Sequence, residues 1–390
     1  ASSDLESVSE LARRLVTIGL IGETADVGPG RRQGFHRGVS VYPVLGDEVS
    51  SVRATDRRQV YAPSTSSNVR IGTVWEDPSI PALIATDDLL AKHFAILGST
   101  GSGKSCTTTL VLRAILGAHP NAHAVLLDPH GEYAQAFGDM AEVVNTDNLQ
   151  LPYWILNFEE LCEMLVSGTE PGEADAQVAI LRSAIVAAKR KHTGALDPQA
   201  QLTVDTPVPY HLADLLKTIE DGSGKLDKPD KATPYLRLRA RIESLQNDRR
   251  YGFMFSRMMG RDSLPEIMSR LLRIPVANRP LSIVDLSGVP SEIVDVVVSL
   301  LSRIIFDFAV WSAKPLGVPI LLVCEEAHRY IPADGQPGFQ ATRQALSRIA
   351  KEGRKYGVSL CLITQRPSEL SPSVLSQCGT VFALRLGNER

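Results

Sequence analysis

A glycine-rich stretch of eight residues, GSTGSGKS from Gly98 to Ser105, constrains the fold of this chain more than any other feature. It fits the pattern GxxxxGK[ST], it follows the apolar run HFAILG, and it opens the helical pattern KSCTTTLVLRAIL. A strand, a glycine-rich loop and a helix in this order predict a phosphate-binding turn (P-loop), because the glycines let successive backbone N–H groups face one anion. The helix that follows points its positive end at the same anion.

The P-loop predicts a site for a nucleoside triphosphate with Mg²⁺. Lys104 is expected to contact the β- and γ-phosphates, and the Ser105 hydroxyl is expected to bind Mg²⁺. The alternative is a chance turn rich in glycine and serine, and the flanking strand and helix argue against it. The residues predicted to contact the nucleotide are Gly98, Ser99, Thr100, Gly101, Ser102, Gly103, Lys104, Ser105 and Cys106.

Two adjacent glutamates, Glu325 and Glu326, follow the apolar run ILLVC. Neighbouring carboxylates at the end of a buried strand repel each other, and their desolvation is costly unless a cation compensates. A bound metal and Lys104 would supply that charge. Glu325 is therefore expected to hold Mg²⁺ through its water shell, and Glu326 to orient or deprotonate an attacking water. Alternatively, the pair flanks or caps the next helix. His328 is expected to be a polar neighbour of Glu326 rather than a metal ligand.

From Asp87 onward, apolar strand runs alternate with helical patterns, which predicts an α/β fold with a mainly parallel sheet and helices on both faces. Strand patterns disappear between Asn157 and Pro275, and helical segments replace them, so a helical insertion is expected at about 157–275. The strand runs are HFAILG, HAVLLD, LSIVDLS, PILLVCEE, VSLCLITQ and TVFALRLG.

Residues 1–86 are rich in Gly, Val and turn signals, and they predict a small N-terminal β-barrel before an α/β domain of residues 87–390. Two segments, His36–Val49 and Asn68–Val74, alternate in the manner of strands. The segments DVGPGRRQG and APSTSSN are predicted to be loops.

The overall charge does not indicate a polyanionic partner, since the net charge is −3 over 390 residues. Any contact with nucleic acid must use a local basic surface.

No run of about 18 apolar residues occurs, so no membrane segment is expected. Five scattered cysteines without a CxxC pair favour a reducing cytoplasm. The start lacks Met and the end follows a strand-like run, so the chain is expected to be trimmed at one or both ends.

The P-loop, taken together with LLDPHGEY, LPYWILNFEEL, CEEAHRYIP, KEGRKYG and ITQRPSEL, resembles the HerA family of hexameric DNA translocases related to FtsK. The resemblance covers nearly the whole chain. It implies a RecA-like P-loop NTPase fold behind a barrel of the HAS type, with ATP and Mg²⁺ bound between the subunits of a homo-hexameric ring on double-stranded DNA. It also implies a nuclease or other effector partner in DNA end processing or phage defence.

The resemblance assigns roles to two cations in trans. Arg354, in KEGRKYG, matches the arginine finger of the family, and a guanidinium fork suits the charge that spreads over the γ-phosphoryl oxygens. The alternative for Arg354 is a solvated helix end, favoured by the helix dipole. Lys92 stands before the P-loop strand, where the family usually has arginine. It is expected to join the nucleotide contacts although it lacks the bidentate fork.

Two polar residues follow or end strands beside the predicted site. Gln365 resembles a sensor of the γ-phosphate or of the attacking water, with a satisfied strand-end amide as the alternative. Asp128 is an active-site residue by the family pattern. Alternatively, it caps a helix that has Pro129 at its first position. The predicted catalytic residues are thus Lys104, Asp128, Glu326, Arg354 and Gln365, and the predicted metal ligands are Ser105 and Glu325.

The expected activity is that of an ATP-driven, ring-shaped DNA translocase or helicase. One alternative is a nucleotide-stabilised ring scaffold that holds an effector and turns over little ATP. Another is a conjugative or secretion-type motor, although such motors usually carry membrane segments. The arginine-rich stretch Tyr235–Arg250 would track DNA phosphates if it lined a channel, but a solvated helix surface or a subunit contact is the favoured interpretation.

Overall fold

The computed structural model describes residues 17–25, 34–62, 67–166, 171–193, 201–224, 229–256, 261–312, 317–334 and 339–386. These residues divide into two compact units, one within 1–66 and 72–83 and the other within 67–71 and 84–390. Among the helices of the described ranges, none combines the length with the apolar character that a membrane span requires.

The elements of the described residues are as follows. The strands are β1 (Gly22–Ala25), β2 (Gly34–Arg37), β3 (Asn68–Val74), β4 (Asp77–Ala85), β5 (His93–Leu97), β6 (His123–Asp128), β7 (Ala141–Val144), β8 (Leu281–Asp285), β9 (Ile320–Cys324), β10 (Val358–Thr364) and β11 (Cys378–Ala383). The α-helices are α1 (Ala54–Val60), α2 (Thr86–Leu90), α3 (Lys104–Ala118), α4 (Ala134–Phe137), α5 (Phe158–Val166), α6 (Pro171–Thr193), α7 (Leu212–Ser223), α8 (Pro229–Asn247), α9 (Gly252–Phe255), α10 (Leu264–Leu271), α11 (Val294–Ser312), α12 (Ala327–Tyr330), α13 (Gln340–Glu352) and α14 (Pro372–Leu375). Short 3₁₀ helices are Gly138–Met140, Tyr153–Ile155, Arg249–Tyr251, Gly353–Tyr356 and Pro367–Glu369.

The larger unit is built on a seven-stranded sheet of order β11–β5–β10–β9–β6–β8–β7, in which neighbouring strands are parallel. Strands β5, β9 and β10 are apolar runs that are buried along their whole length. A parallel sheet covered on both faces requires such runs. The predicted α/β fold with a mainly parallel sheet is therefore confirmed, and β7 is a short edge strand that the sequence patterns did not indicate.

Parallel pairing gives this sheet two chemically different edges. We call the edge where the strands end the carboxyl edge, and the edge where they begin the amino edge. The register places Leu97 opposite Thr364 and Leu127 opposite Cys324, so the segments after β5, β6, β9 and β10 emerge side by side. Ligands of open α/β sheets bind beyond the carboxyl ends of the strands.

Helices replace strands between β7 and β8, as the sequence predicts. Helices α5 to α10 occupy the described part of this insertion. Helix α5 of the insertion contacts α11 through an ion pair. The fully buried Glu160 accepts hydrogen bonds from Arg303 Nη2 at 2.8 Å and from Ser299 Oγ at 2.9 Å. A charge buried to this degree is tolerated only when it is paired and hydrogen-bonded.

The predicted N-terminal barrel is not confirmed. In the described residues, β1 pairs with β2 in one antiparallel sheet, and β3 and β4 form a second two-stranded sheet. The strand predicted over 36–49 ends at Arg37, and Val41, Val44 and Leu45 are exposed instead of packing on a partner. Most of the predicted loops DVGPGRRQG and APSTSSN, at 26–33 and 63–66, lies outside the described residues.

Candidate active site

The P-loop lies between β5 and α3, at the carboxyl edge of the sheet. Gly101 and Gly103 have φ angles of +76° and +96°, which only glycine adopts without strain. A Cβ on Gly98 would lie 2.4 Å from Ser102 Oγ, so this position also requires glycine. Lys104 begins α3, and its Nζ donates to the Ser99 carbonyl at 3.2 Å. The loop therefore has the curvature, the helix end and the cation that a phosphate group requires.

Backbone hydrogen bonds hold two further P-loop residues, Ser99 and Ser102. Ser99 N donates to the Arg385 carbonyl at 2.9 Å, which joins the loop to the segment after β11. Ser102 N donates to the Ser99 carbonyl at 3.1 Å, and Cys106 is exposed in the first turn of α3. The sequence patterns gave no indication that Arg385 would border the site.

Ser105, the predicted metal ligand, has a partner that the sequence analysis did not assign. Its hydroxyl donates to Glu132 Oε2 at 3.2 Å. Glu132 lies in the loop after β6, within the stretch DPHGEY. A serine hydroxyl that donates its hydrogen to a carboxylate keeps its lone pairs for a cation, so this contact is compatible with the metal role predicted for Ser105.

Asp128 ends β6 and is fully buried. Its Oδ1 accepts hydrogen bonds from His130 N at 3.2 Å and Gly131 N at 2.8 Å, and its Oδ2 accepts one from Tyr133 N at 3.0 Å. The next helix begins only at Ala134, so the alternative of a helix cap with Pro129 in the first position is wrong. Asp128 shapes the loop that carries Glu132, and its catalytic role stays a prediction.

Glu325 has the environment of a metal ligand. It follows β9 and is 4% exposed, its Oε1 accepts a hydrogen bond from the Tyr133 hydroxyl at 3.2 Å, and its Oε2 has no partner among the described residues. Burial, followed by repulsion from Asp128 and Glu132, raises its pKa to about 8. A buried, unpartnered carboxylate oxygen beside two other carboxylates calls for a cation. Carboxylate and hydroxyl oxygens suit Mg²⁺, which takes its remaining ligands from water and phosphate.

Glu326 is held by a chain of side-chain contacts that begins in the P-loop. Thr100 Oγ1 donates to Gln365 Oε1 at 2.5 Å, and Gln365 Nε2 donates to Glu326 Oε1 at 3.2 Å. Glu326 has a φ of +52°, a strained conformation for a residue other than glycine that points to a functional constraint. It precedes α12, but its side chain makes no capping hydrogen bond. Glu326 therefore flanks α12 at its N-cap position, as the alternative expected, but it does not cap the helix with its side chain.

His328 borders the other side of Glu326. Its Nδ1 lies 3.2 Å from Glu326 Oε2 and 3.1 Å from Thr364 Oγ1. Burial lowers the pKa of His328, so the ring is neutral at neutral pH. These contacts place His328 as a polar neighbour of the carboxylate.

Lys92 and Arg354 lie at the amino edge, away from the P-loop of their own chain. Lys92 directly precedes β5, and Arg354 lies in the 3₁₀ helix that precedes β10. At ~3.3 Å per residue, the strands separate the two edges by roughly 15–20 Å. Both side chains are exposed. The structure thus brings Lys104, Ser105, Asp128, Glu325, Glu326 and Gln365 together and leaves Lys92 and Arg354 apart from them.

The arginines of 235–250 are neutralised largely within the chain. Arg237 pairs with Glu173 at 2.5 Å, and Arg239 pairs with Glu220 at 3.0 Å and with Glu243 at 2.8 Å. Exposed pairs of this kind stabilise a protein little, but they neutralise the positive charge of these arginines. This arrangement favours the helix-surface interpretation over a channel lining.

An all-parallel sheet, a P-loop after β5 and an acidic pair after β9, which β10 separates from β5, define the class of P-loop nucleoside triphosphatases. The family model "Helicase HerA, central domain" matches residues 69–305. The chain belongs to the HerA family.

Similar relatives are helicases of archaea. The DNA double-strand break repair helicase HerA of Pyrococcus furiosus is 24% identical over 99% of this chain and 71% of its own length. A probable helicase of Methanocaldococcus jannaschii is 25% identical over 82% of this chain and 58% of its own length. The HerA of Saccharolobus solfataricus is 26% identical over 88% of this chain and 63% of its own length. The chain therefore spans only part of these relatives.

Among solved structures, VirB4 of Thermoanaerobacter pseudethanolicus has a similar fold. Its TM-score is 0.53 at 16% identity, and the match covers 80% of this chain and 81% of that chain. At this identity the similarity concerns the fold alone.

Proposed function

We propose that this chain is a subunit of a homo-hexameric ring that hydrolyses ATP, with Mg²⁺, to move along double-stranded DNA. The observation that carries the proposal is the division of the candidate residues between two edges, since Lys104 and Glu326 follow strands whereas Lys92 and Arg354 precede them. A head-to-tail neighbour would supply the two missing cations, and head-to-tail contacts close into rings. Membership of the HerA family supports the proposal, as do relatives named DNA double-strand break repair helicases.

Each residue has a defined task in the proposed reaction. Lys104 Nζ and the N–H groups of the P-loop bind the phosphates, and Ser105 and Glu325 would hold Mg²⁺. The ion would neutralise charge on the β- and γ-phosphate oxygens. Glu326 accepts a proton from the attacking water as the water oxygen bonds to the γ-phosphorus and the bond between the γ-phosphorus and the bridging oxygen breaks, and ADP and phosphate leave. Arg354 of a neighbouring subunit neutralises charge on the transferred phosphoryl group.

The chain Thr100–Gln365–Glu326 would couple nucleotide binding to catalysis. A γ-phosphate beside the P-loop competes for the Thr100 hydroxyl, which leaves the Gln365 amide free to turn and to release Glu326 toward water. Each neutral hydrogen bond lost costs about 1 kcal/mol. Charge-assisted bonds to a triphosphate are roughly twice as strong and offset the loss of the neutral Thr100–Gln365 bond, whereas the bond from Gln365 to the Glu326 carboxylate is itself charge-assisted.

The proposal extends to a nuclease or other effector that docks on the ring and cuts DNA, in DNA end processing or phage defence. Its support is the repair function that the names of the relatives state. Native mass spectrometry of the protein with ATP, alone and with a candidate nuclease, tests both the hexamer and the complex.

Steady-state ATP hydrolysis with and without linear double-stranded DNA tests the motor function. A motor is expected to be stimulated several-fold by DNA, and the stimulation should fall steeply with salt, because phosphate contacts release counterions. The Lys104→Ala variant is the control for contaminating ATPases. A hexamer that hydrolyses ATP slowly and ignores DNA would support the scaffold alternative, and a monomer active at full rate would contradict any ring.

A further inference from the structure

The amino edge contains a buried histidine, His93, which the proposed chemistry does not use. His93 is the first residue of β5 and is 4% exposed. Leu360 N donates to its Nδ1 at 2.9 Å, and its Nε2 lies 2.9 Å from the Ala350 carbonyl oxygen. The first bond makes Nδ1 an acceptor, so Nε2 carries the hydrogen and donates to Ala350. Burial lowers the pKa of His93, which keeps this neutral form.

The two partners of His93 flank the turn that presents Arg354. Ala350 lies in the last turn of α13, before Arg354, and Leu360 lies in β10, after it. The His93 imidazole therefore links the chain on both sides of Arg354 to β5. Gly353 packs directly against the ring, since a Cβ there would lie 3.4 Å from His93 Cε1.

Lys92 precedes His93 in the chain and is fastened from a second side. The Ser359 hydroxyl donates to the Leu90 carbonyl, so β10 holds the segment 90–93 at both ends. The stem of Lys92 runs over Gly379, where a Cβ would lie 2.6 Å from Lys92 Cδ. Through these contacts, His93 and β10 together fix the backbone next to the two exposed cations, Lys92 and Arg354.

We propose that His93 is a positioning residue that holds Lys92 and Arg354 as one rigid unit, so that both cations reach the triphosphate of a neighbouring subunit together. The inference rests on the proposed function. Arg354 lies in a 3₁₀ helix and Lys92 lies in a turn before β5, and these segments are far apart in the sequence. A misplacement of about 1 Å can cost roughly 100-fold in rate, and a histidine with both nitrogens engaged between the two segments removes that freedom.

The variant His93→Phe keeps the ring and removes both hydrogen bonds. It is expected to lower kcat by about 10- to 100-fold and to leave the affinity for a non-hydrolysable ATP analogue unchanged, because the P-loop lies at the other edge. His123 offers a matched control, since it is the first residue of β6 and its Nδ1 contacts the Leu272 carbonyl at 2.7 Å. His123→Phe is expected to retain hydrolysis within a few-fold of wild type. An equal loss of kcat in both variants would overturn the positioning role.

Subunit mixing separates positioning from a general folding defect. His93→Phe subunits, which keep an intact P-loop, are expected to regain hydrolysis when mixed with Lys104→Ala subunits, which keep an intact amino edge. Mixing with Arg354→Ala is expected to restore nothing, because both defects lie in the same edge. No recovery with Lys104→Ala, or recovery with Arg354→Ala, would overturn the inference.

Two additions keep this test decisive. If His93→Phe does not fold, His93→Asn carries the same test, because its amide oxygen can accept from Leu360 N while the bond to Ala350 is lost. The pair Arg354→Ala and Lys104→Ala is mixed in parallel. If that pair fails to restore activity, the composite site is refuted independently of His93.

Discussion

Replacing Glu325 by glutamine is expected to stabilise the metal-free protein. Burial and the repulsion from Asp128 and Glu132 raise the pKa of Glu325 from 4.5 to about 8. The folded state therefore binds this proton more tightly than the unfolded chain, and the carboxyl group destabilises the fold increasingly as pH rises from about 4.5 to about 8. One pKa unit corresponds to about 1.4 kcal/mol, and ~2.5 units separate the unfolded pKa from pH 7. The penalty at pH 7 is therefore on the order of 3 kcal/mol.

Glutamine carries no charge and keeps an acceptor for the Tyr133 hydroxyl, so Glu325→Gln should recover most of this penalty. Denaturant unfolding of the metal-free protein in a chelator, at several pH values between about 5 and 8, measures the effect. The stability advantage of the variant should grow with pH. Glu326→Gln is the control, because it leaves Glu325 in place with Asp128 and Glu132, its two larger sources of repulsion, and should keep most of the wild-type decline. Parallel pH profiles for wild type and Glu325→Gln would refute the reasoning.

Three further substitutions test the roles of single side chains. Glu326→Gln is expected to lower kcat by about 10²- to 10⁴-fold at unchanged nucleotide affinity, measured by steady-state hydrolysis and analogue binding, and an unchanged kcat would remove Glu326 from the role of base. Glu132→Ala leaves the Ser105 hydroxyl unoriented and is expected to raise the Mg²⁺ requirement roughly 10-fold. Nucleotide binding in the absence of metal should be preserved. An equal weakening of metal-free nucleotide binding and of Mg²⁺ dependence would contradict the orienting role of Glu132. Thr100→Val frees the Gln365 amide and is expected to raise the DNA-independent rate of ATP hydrolysis several-fold. A lower rate would mean that Thr100 contributes to nucleotide binding alone.

The centre of the site can be predicted from the sequence because its parts are contiguous. The run His93–Leu97, the loop from Gly98 and the helical pattern after Lys104 occupy one stretch, and each has a local signal in hydropathy, glycine content or periodicity. Apolar runs also precede Glu325 and Gln365. Once the strands are parallel, the ends of these runs meet at one edge, so their proximity follows from the fold class.

Contacts between separate segments carry no such local signal. Glu132 lies in a loop, and nothing near it in sequence indicates that it accepts a hydrogen bond from Ser105. The strained backbone of Glu326 is equally invisible, because glutamate has no preference for positive φ. Asp128 followed by proline suggests a helix start, yet its carboxylate instead binds three backbone N–H groups of a loop.

The incorrect strand prediction at 36–49 has a different cause. Alternation of apolar and polar residues predicts a strand only where a partner strand and a core surface are present. Within 39–49 the chain pairs with no strand, and Val41 and Leu45 are exposed. The edge strand β7 was not predicted because its four residues, AEVV, are too few to show a period.

Mixing Arg354→Ala with Lys104→Ala subunits tests the composite site most directly. In a head-to-tail ring each interface takes its P-loop from one subunit and its arginine from the next, so about one quarter of the interfaces in an equimolar random mixture combine two intact partners. Two inactive proteins should therefore regain hydrolysis on mixing, up to about a quarter of the wild-type rate at equal amounts and less at either excess. No recovery at any ratio, with both variants folded and assembled, would contradict a site shared between subunits.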